Sequence, residues 1–221
     1  MTTPWRLVTL LFLSVAVVAG ITLAFAQTTV SDLANLPKPV TTGGKPLMQA
    51  LKARHSTRSF APRELAPQTI SNLLWAAFGV NRPDTGQRTA PSAVNWQEID
   101  LYLAMRTGLF LFDARTHSLK QVLTDDLRPN VGLQPYVATA PIVLVYVADL
   151  SRMTDASPED KTFYSAADTG FIAQNVYLFA ASEDLATVVV GLIDRPALAA
   201  KMKLRPDQKI ILAQPVGYPG N

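Results

Sequence analysis

The 221-residue chain contains no cysteine and only two histidines, His55 and His117. The first absence removes disulfides, thiol chemistry and thiolate metal sites. The second leaves too few imidazoles for a histidine-rich metal centre. A serine triad would have to use one of those two rings, and no Gly-x-Ser-x-Gly elbow accompanies either. Neither a Gly-x-Gly-x-x-Gly turn nor a Walker phosphate loop is present. Paired carboxylates are few. Glu159-Asp160 and Glu183-Asp184 fall at expected helix ends, where capping or solvation accounts for them. No dense basic stripe exists, which argues against a nucleic-acid partner. An enzyme with so little acid–base equipment takes its chemistry from an organic cofactor.

What the chain does have begins at its N-terminus. Met1 to Arg6 is short and weakly basic, Leu7 to Leu23 is almost wholly apolar, and Ala24-Phe25-Ala26 precedes Gln27. That is the pattern of a secretory signal peptide over residues 1–26. The alternative is a retained membrane anchor, because Leu7 to Ala26 approaches bilayer-spanning length. The small-x-small site favours cleavage, and the lack of an Arg-Arg pair favours the general export route. Cleavage implies a periplasmic or secreted protein with no stable membrane insertion. Removing the first 26 of 221 residues leaves 195, enough for one domain with a sizeable core. Arg6 leaves with the signal, so 19 of the 20 basic residues face 17 acidic ones. Residues 27–45 hold Pro37, Pro39, Gly43 and Gly44 and read as an extended linker. The domain spans 46–221.

Helical spacing predicts a short helix over Pro46 to Arg54, with Leu47, Met48 and Leu51 on one side. A second helix opens at Pro67, carries Ile70, Leu73, Leu74, Ala77 and Phe78 as core, and stops at Gly79. Asn81 to Gln97 is a polar loop. Glu98 to Met105 alternates as a strand, and Leu109–Phe112 and Leu119–Leu123 flank a turn. Asp125 to Ala138 is helical in part. Ile142 to Ala148 is a continuous apolar run, the mark of a strand covered on both faces. Asp160 to Asp184 is the longest helix, apolar nearly all round, with Asp168, Asn175 and Ser182 as polar exceptions on one face. Leu185 to Val190 forms a strand, Asp194 caps a helix running to about Lys203, and Ile210 to Val216 is the last strand. The interspersed elements predict an α/β (α+β) fold: a three-layer α-β-α sandwich with a mixed sheet and helices on both faces.

Arg54-His55-Ser56-Thr57-Arg58-Ser59-Phe60 packs two permanent cations, an imidazole and three hydroxyls into seven residues. It suits a phosphate, and it also suits a solvated basic turn at a helix end. Three further stretches settle the choice: Ala90-Pro91-Ser92-Ala93-Val94-Asn95-Trp96-Gln97, Asp168-Thr169-Gly170 with Gln174-Asn175, and Val189-Val190-Gly191 leading to Pro215-Val216-Gly217-Tyr218-Pro219. In this order the set resembles the FMN-dependent nitroreductase family, and its thiazoline/oxazoline-dehydrogenase-like branch in particular. Leu74 to Arg82 is similar to that branch as well. The resemblance covers roughly Pro46 to Pro219.

The resemblance implies an exported, homodimeric flavoprotein with a nitroreductase-like fold. It would pass hydride or electrons through flavin N5 to a nitroaromatic, quinone or heterocyclic substrate in a ping-pong cycle. NADH, NADPH or a membrane quinol would serve as donor. It also implies roles for residues. Arg54 and Ser56 fit the phosphate and ribityl hydroxyls, Arg58 fits the pyrimidine edge, and His55 matches a basic position. Ser92 and Asn95 fit a loop reaching the flavin from a second direction across the dimer, shaped by Pro91, Ala93 and Gln97. Val189, Val190 and Gly191 fit the segment whose backbone N–H approaches N5, although Gly191 alone also suits a strand-end turn. No side chain is required as acid or base, and no metal is implied. The family pattern continues past Gly-Tyr-Pro with a basic tail where this sequence reads Gly220-Asn221. Arg54, Arg88, Arg128 or a partner subunit is expected to make up the difference. A non-catalytic binding or scaffold protein on the same fold is the alternative.

Overall fold

The computed structural model describes residues 35–220. The expected signal peptide and the first part of the linker lie outside the described residues. A six-stranded sheet forms the middle layer, in the order β5-β4-β3-β6-β8-β7. Its members are β3 (Ile99–Met105), β4 (Gly108–Asp113), β5 (Ser118–Leu123), β6 (Ile142–Asp149), β7 (Ala186–Thr187) and β8 (Gln208–Gly217). A separate hairpin pairs β1 (Val80–Arg82) with β2 (Gln87–Arg88).

Alternation of side chains builds two cores on the one sheet. Ile99, Leu101 and Leu103 of β3 and Ile142, Leu144 and Tyr146 of β6 face one way. They pack against α2 (Pro67–Phe78) and α4 (Pro158–Ser182). Tyr102 and Ala104 with Val143, Val145 and Val147 face the other way. There α3 (Arg128–Val131), a 3-10 turn at Pro135–Thr139 and α5 (Arg195–Met202) cover them. All eight residues of β6 are buried, as its unbroken apolar run requires. The expected three layers are therefore present. The sheet is not mixed, however: every described pairing is antiparallel. Burial on both faces follows from the two covering layers and carries no information about strand direction.

The helix ends follow local chemistry. Pro67 and Pro158 occupy the first helical turn, where no N–H partner is lost. Ser157 accepts from Asp160 N at 3.1 Å and donates to Asp160 Oδ2 at 2.8 Å, a reciprocal cap. Asp194 caps α5 through Ala197 N. The segment expected between Leu185 and Val190 keeps strand pairing only at β7 and at a bridge from Val190 to Ala213.

Two surfaces depart from simple burial. α1 (Leu47–Ala53) packs along α4, yet of its residues only Ala50 is buried. Leu47, Met48 and Leu51 stay exposed, as do Phe163 and Phe171 of α4. Residues 35–45 carry neither helix nor strand and are tied to the domain. Ser71 Oγ donates to Pro37 O, Val40 N to Asn72 Oδ1 at 2.8 Å, and Lys45 N to Ser182 Oγ at 2.8 Å. His117 belongs to this strapping. Ser71 gives its proton to Pro37 O, so His117 Nε2–H donates to Ser71 Oγ at 2.7 Å. The pair of buried Ser71 and half-buried His117 is thereby structural.

Candidate functional site

The first half of the site is the segment after α1. Thr57 N donates to Thr187 O at 2.9 Å, Ala61 N to Tyr218 O at 2.9 Å, and Gly220 N to Ser59 O at 3.0 Å. Phe60 bridges Pro219 and is buried. The segment thus lies between β7 and the residues following β8. Gly220 permits that approach, because a Cβ there would collide with Ser59 and with Phe60 backbone. Arg54 is half-buried, with its guanidinium 5.2 Å from the Tyr177 ring centroid. Ser56 Oγ lies 2.9 Å from the Tyr177 hydroxyl. His55 Nδ1–H donates to Ala53 O at 2.7 Å, so its other ring nitrogen can donate to an anion only when protonated. His55, Ser56 and Arg58 are exposed. Neither Arg54 nor Arg58 forms an ion pair among the described residues. Two unpaired guanidinium groups and a hydroxyl on one short segment make an anion-binding surface.

Tyr177 joins this surface to the second predicted segment. Its hydroxyl accepts from Val189 N at 2.9 Å while meeting Ser56. Val190 N donates to Ala213 O at 2.7 Å. Of the three amides in Val189–Gly191, two are therefore committed, and Gly191 N–H makes no hydrogen bond among the described residues. Gly191 is exposed and its φ lies outside the left-handed region; a Cβ there would meet only Leu212 Cδ2 at 3.7 Å. No turn conformation demands this glycine.

The third predicted segment is Pro91 to Gln97. Val94, Asn95 and Gln97 have φ of 50°, 59° and 50°, a region that costs side-chain-bearing residues on the order of 1–3 kcal/mol each. Val94 is β-branched and 80% exposed, so its own packing does not compensate. The surroundings do. Ala93 N donates to Asp168 Oδ2 at 2.8 Å, and Gln97 N to Ser92 Oγ at 2.8 Å. Gln97 Oε1 accepts from Arg88 Nε at 2.8 Å, and Gln97 Nε2 donates to Gly86 O and Asn95 Oδ1. Trp96 stacks edge-on to Tyr164. Beneath the loop, Ser92 Oγ donates to Glu98 Oε2 at 3.3 Å. Glu98 and Asp168 are both fully buried and in contact. Burial first, and the neighbouring Asp168 charge with it, push the Glu98 carboxyl above the usual carboxylate range. Glu98 Oε1 has no partner among the described residues.

Both halves hang from α4, and its geometry keeps them apart. Asp168 and Tyr177 are nine residues apart, which is about 13–14 Å along a helix and two and a half turns. They project from opposite sides. The clefts lined by Pro91, Ser92, Asn95 and Gln97 include none of Arg54, His55, Ser56, Arg58, Val189, Val190 or Gly191. The chain brings Arg54 to Arg58 together with Val189 to Gly191, and it holds Pro91 to Gln97 elsewhere. Of the expected substitutes for a basic tail, Arg128 is taken by Asp126 and Ala140 O, and Arg88 lies beneath Gln97.

Three residues that organise the candidate site were given no role in it by the sequence reading. Tyr177 was one of many aromatic positions in an apolar helix. Glu98 sat at the edge of a strand pattern. Asp168 had a signal, as a carboxylate in an otherwise apolar helix, but its partner was not legible. Its two companions on that face are used too: Asn175 Nδ2 donates to Ala77 O, and Ser182 holds Lys45.

Unpaired cations, a hydroxyl and a free amide on one ledge fit a phosphorylated group. Comparison with known proteins bears on the family. The nitroreductase family profile matches residues 51–218. A candidate nitroreductase of Methanocaldococcus jannaschii is 30% identical over 181 residues, covering 77% of this chain and 90% of its own. The crystal structure of a candidate nitroreductase from Ralstonia eutropha is 42% identical, with a TM-score of 0.82 over 85% of this chain and 90% of that one. A chain of an E. coli microcin synthetase complex shares the fold at 18% identity, with a TM-score of 0.67 over 96% of this chain and 85% of its own. The chain belongs to the nitroreductase family and is a flavin oxidoreductase of that family.

Proposed function

We propose that the protein is an exported, homodimeric oxidoreductase that binds FMN on the ledge formed by Arg54 to Arg58 and Val189 to Gly191. The observation that carries this reading is the Tyr177 hydroxyl. It ties the cationic segment, at Ser56, to the segment bearing the free Gly191 amide, at Val189. Arg54 and Arg58 hold the phosphate end and the pyrimidine edge, and Ser56 serves the ribityl hydroxyls. Gly191 N–H donates to the ring edge. When bound, FMN would supply the redox chemistry, carrying hydride or electrons from the donor to a nitroaromatic, quinone or heterocyclic acceptor in a ping-pong cycle. The donor is NADH, NADPH or a membrane quinol.

A second copy of the chain completes the site. Pro91, Ser92, Ala93, Asn95 and Gln97 sit on the far side of α4, and their strained, over-braced conformation is that of a loop built to present itself to a ligand. The exposed Leu47, Met48, Leu51, Phe163 and Phe171 supply the apolar surface such a dimer would cover. The likeness of Leu74 to Arg82 to the thiazoline/oxazoline-dehydrogenase-like branch favours a heterocycle among the substrates. Leu7 to Ala26 supports export to the periplasm with cleavage after Ala26.

The test is spectroscopic. Protein recovered from the periplasm, or reconstituted with FMN, should show protein-bound flavin absorbance that bleaches with a donor and returns with a nitroaromatic or quinone. Protein that binds no flavin sinks the proposal. Bound flavin that no donor reduces would favour a binding protein on the same fold.

A further inference from the structure

A cleft of about 660 Å3 lies between the β1–β2 hairpin, the 91–97 loop and the sheet. Its volume is in the range of small-molecule sites. Four cations line it, Arg88, Arg115, Lys120 and Arg152, against two carboxylates, Asp100 and Asp113. Both carboxylates are already engaged. Asp100 receives Arg152 at 2.7 Å, and Asp113 accepts the amides of its own turn, Arg115 N at 2.8 Å and Thr116 N at 3.3 Å. Arg88, Arg115 and Lys120 have no ion-pair partner among the described residues.

Arg88 is the inner member. Its guanidinium lies 4.3 Å from the Phe78 ring centroid, and its hydrogen bonds go to neutral acceptors, Gln97 Oε1 and Phe78 O. Burial, and then the positive charge of Arg152, lower its pKa to about 10. Asp100 and Asp113 pull the other way but do not outweigh burial and Arg152, so this half-buried cation is only partly compensated. Arg115 and Lys120 are exposed and can converge on anything seated against Arg88.

We propose that this cleft is a second binding site, for a small organic or inorganic dianion carrying carboxylate or phosphate groups. Arg88 is its inner donor, and Arg115 and Lys120 are its rim. The site is independent of the flavin ledge, since none of Arg54 to Arg58 or Val189 to Gly191 lines it. It touches the 91–97 loop through Asn95 and Gln97, so occupancy bears on the face that loop presents.

Titration calorimetry of the FMN-loaded protein at low ionic strength tests this, with succinate and inorganic phosphate as separate probes. Loading with FMN, and a parallel titration of Arg54→Ala, separate this cleft from the flavin phosphate position. One equivalent of at least one probe should bind, and added salt should weaken it. The double variant Arg115→Gln/Lys120→Gln, at exposed positions that leave folding intact, should lose affinity about tenfold or more. Binding of succinate alone identifies a dicarboxylate site, and binding of phosphate alone a phosphate site. The proposal is overturned if neither probe saturates. It is overturned equally if the double variant binds as wild type, or if Arg54→Ala alone abolishes binding.

Discussion

Replacing Tyr177 with phenylalanine tests the central joint of the proposed flavin ledge. The ring survives, and with it the Arg54 contact at 5.2 Å. One oxygen is lost, and two hydrogen bonds of 2.9 Å go with it. Ser56 is exposed and finds water at little cost. The Val189 amide is half-buried and loses its acceptor, which costs about 1–2 kcal/mol. For a chain of this size each kcal/mol shifts Tm by about 2–4 °C, so the variant should melt about 2–8 °C lower.

The flavin consequence is separate from the folding one. Without the hydroxyl, the segment bearing Gly191 N–H is no longer indexed to the segment bearing Arg54 and Arg58. Binding must then order it. If the same 1–2 kcal/mol is drawn from binding, affinity falls about 5–30-fold. FMN fluorescence quenching gives the affinity, and thermal unfolding with and without saturating FMN gives the ligand-induced increment. That increment depends on free ligand over dissociation constant, so it should shrink in the variant. A variant that melts early but keeps wild-type affinity and a wild-type increment would refute the reasoning. Tyr177 would then be an ordinary structural hydrogen bond.

Arg54→Ala should weaken FMN binding about tenfold or more while barely moving the melting temperature of the apo protein; unchanged flavin retention refutes the phosphate assignment. Glu98→Gln should change the pH dependence of stability. The folded protein holds the Glu98 proton more tightly than the unfolded chain, so wild type loses stability as pH rises from about 4.5 through the raised folded value. Glutamine does not titrate there. In urea unfolding at a series of pH values, the variant-minus-wild-type difference should be level below about 4.5 and move in favour of the variant above it. A level difference throughout refutes the upward shift that burial, with Asp168, imposes on Glu98. If the proposed dimer forms through this face, wild type should be dimeric by light scattering and Met48→Glu monomeric with reduced flavin retention; a monomeric wild type, or a dimer that persists in the variant, refutes the interface.

Much of the framework could be read from local spacing. Alternation in Ile99 to Met105, the unbroken run from Ile142, the apolar positions of Pro67 to Phe78 and the cap at Asp194 each depend on neighbours a few residues away. Strand direction does not, and the antiparallel sheet was missed for that reason. The residue types of the site were legible because cations, hydroxyls and a glycine in that order are informative. Their placement was not. Ser56 meets Tyr177 across 121 positions and Ala93 meets Asp168 across 75. No local periodicity encodes such contacts. The exposed side of α1 shows the same limit: Leu47, Met48 and Leu51 have the spacing of a buried stripe, yet no described residue buries them.

Asp168 and Tyr177 explain how one helix can hold two segments that lie far apart. A 25-residue helix is long enough to carry separate attachments on opposite sides, and this one does. Asp168 fixes the strained loop at Ala93, and Tyr177 fixes the ledge at Ser56 and Val189. A half-turn offset prevents a single copy from folding both around one ligand. In a twofold dimer the same offset becomes useful, because an isologous interface brings the loop of one chain toward the ledge of the other. On this reading a substitution at Met48 affects flavin binding without touching either half. The two copies should also lose flavin together with dimerisation, in a single concentration-dependent transition.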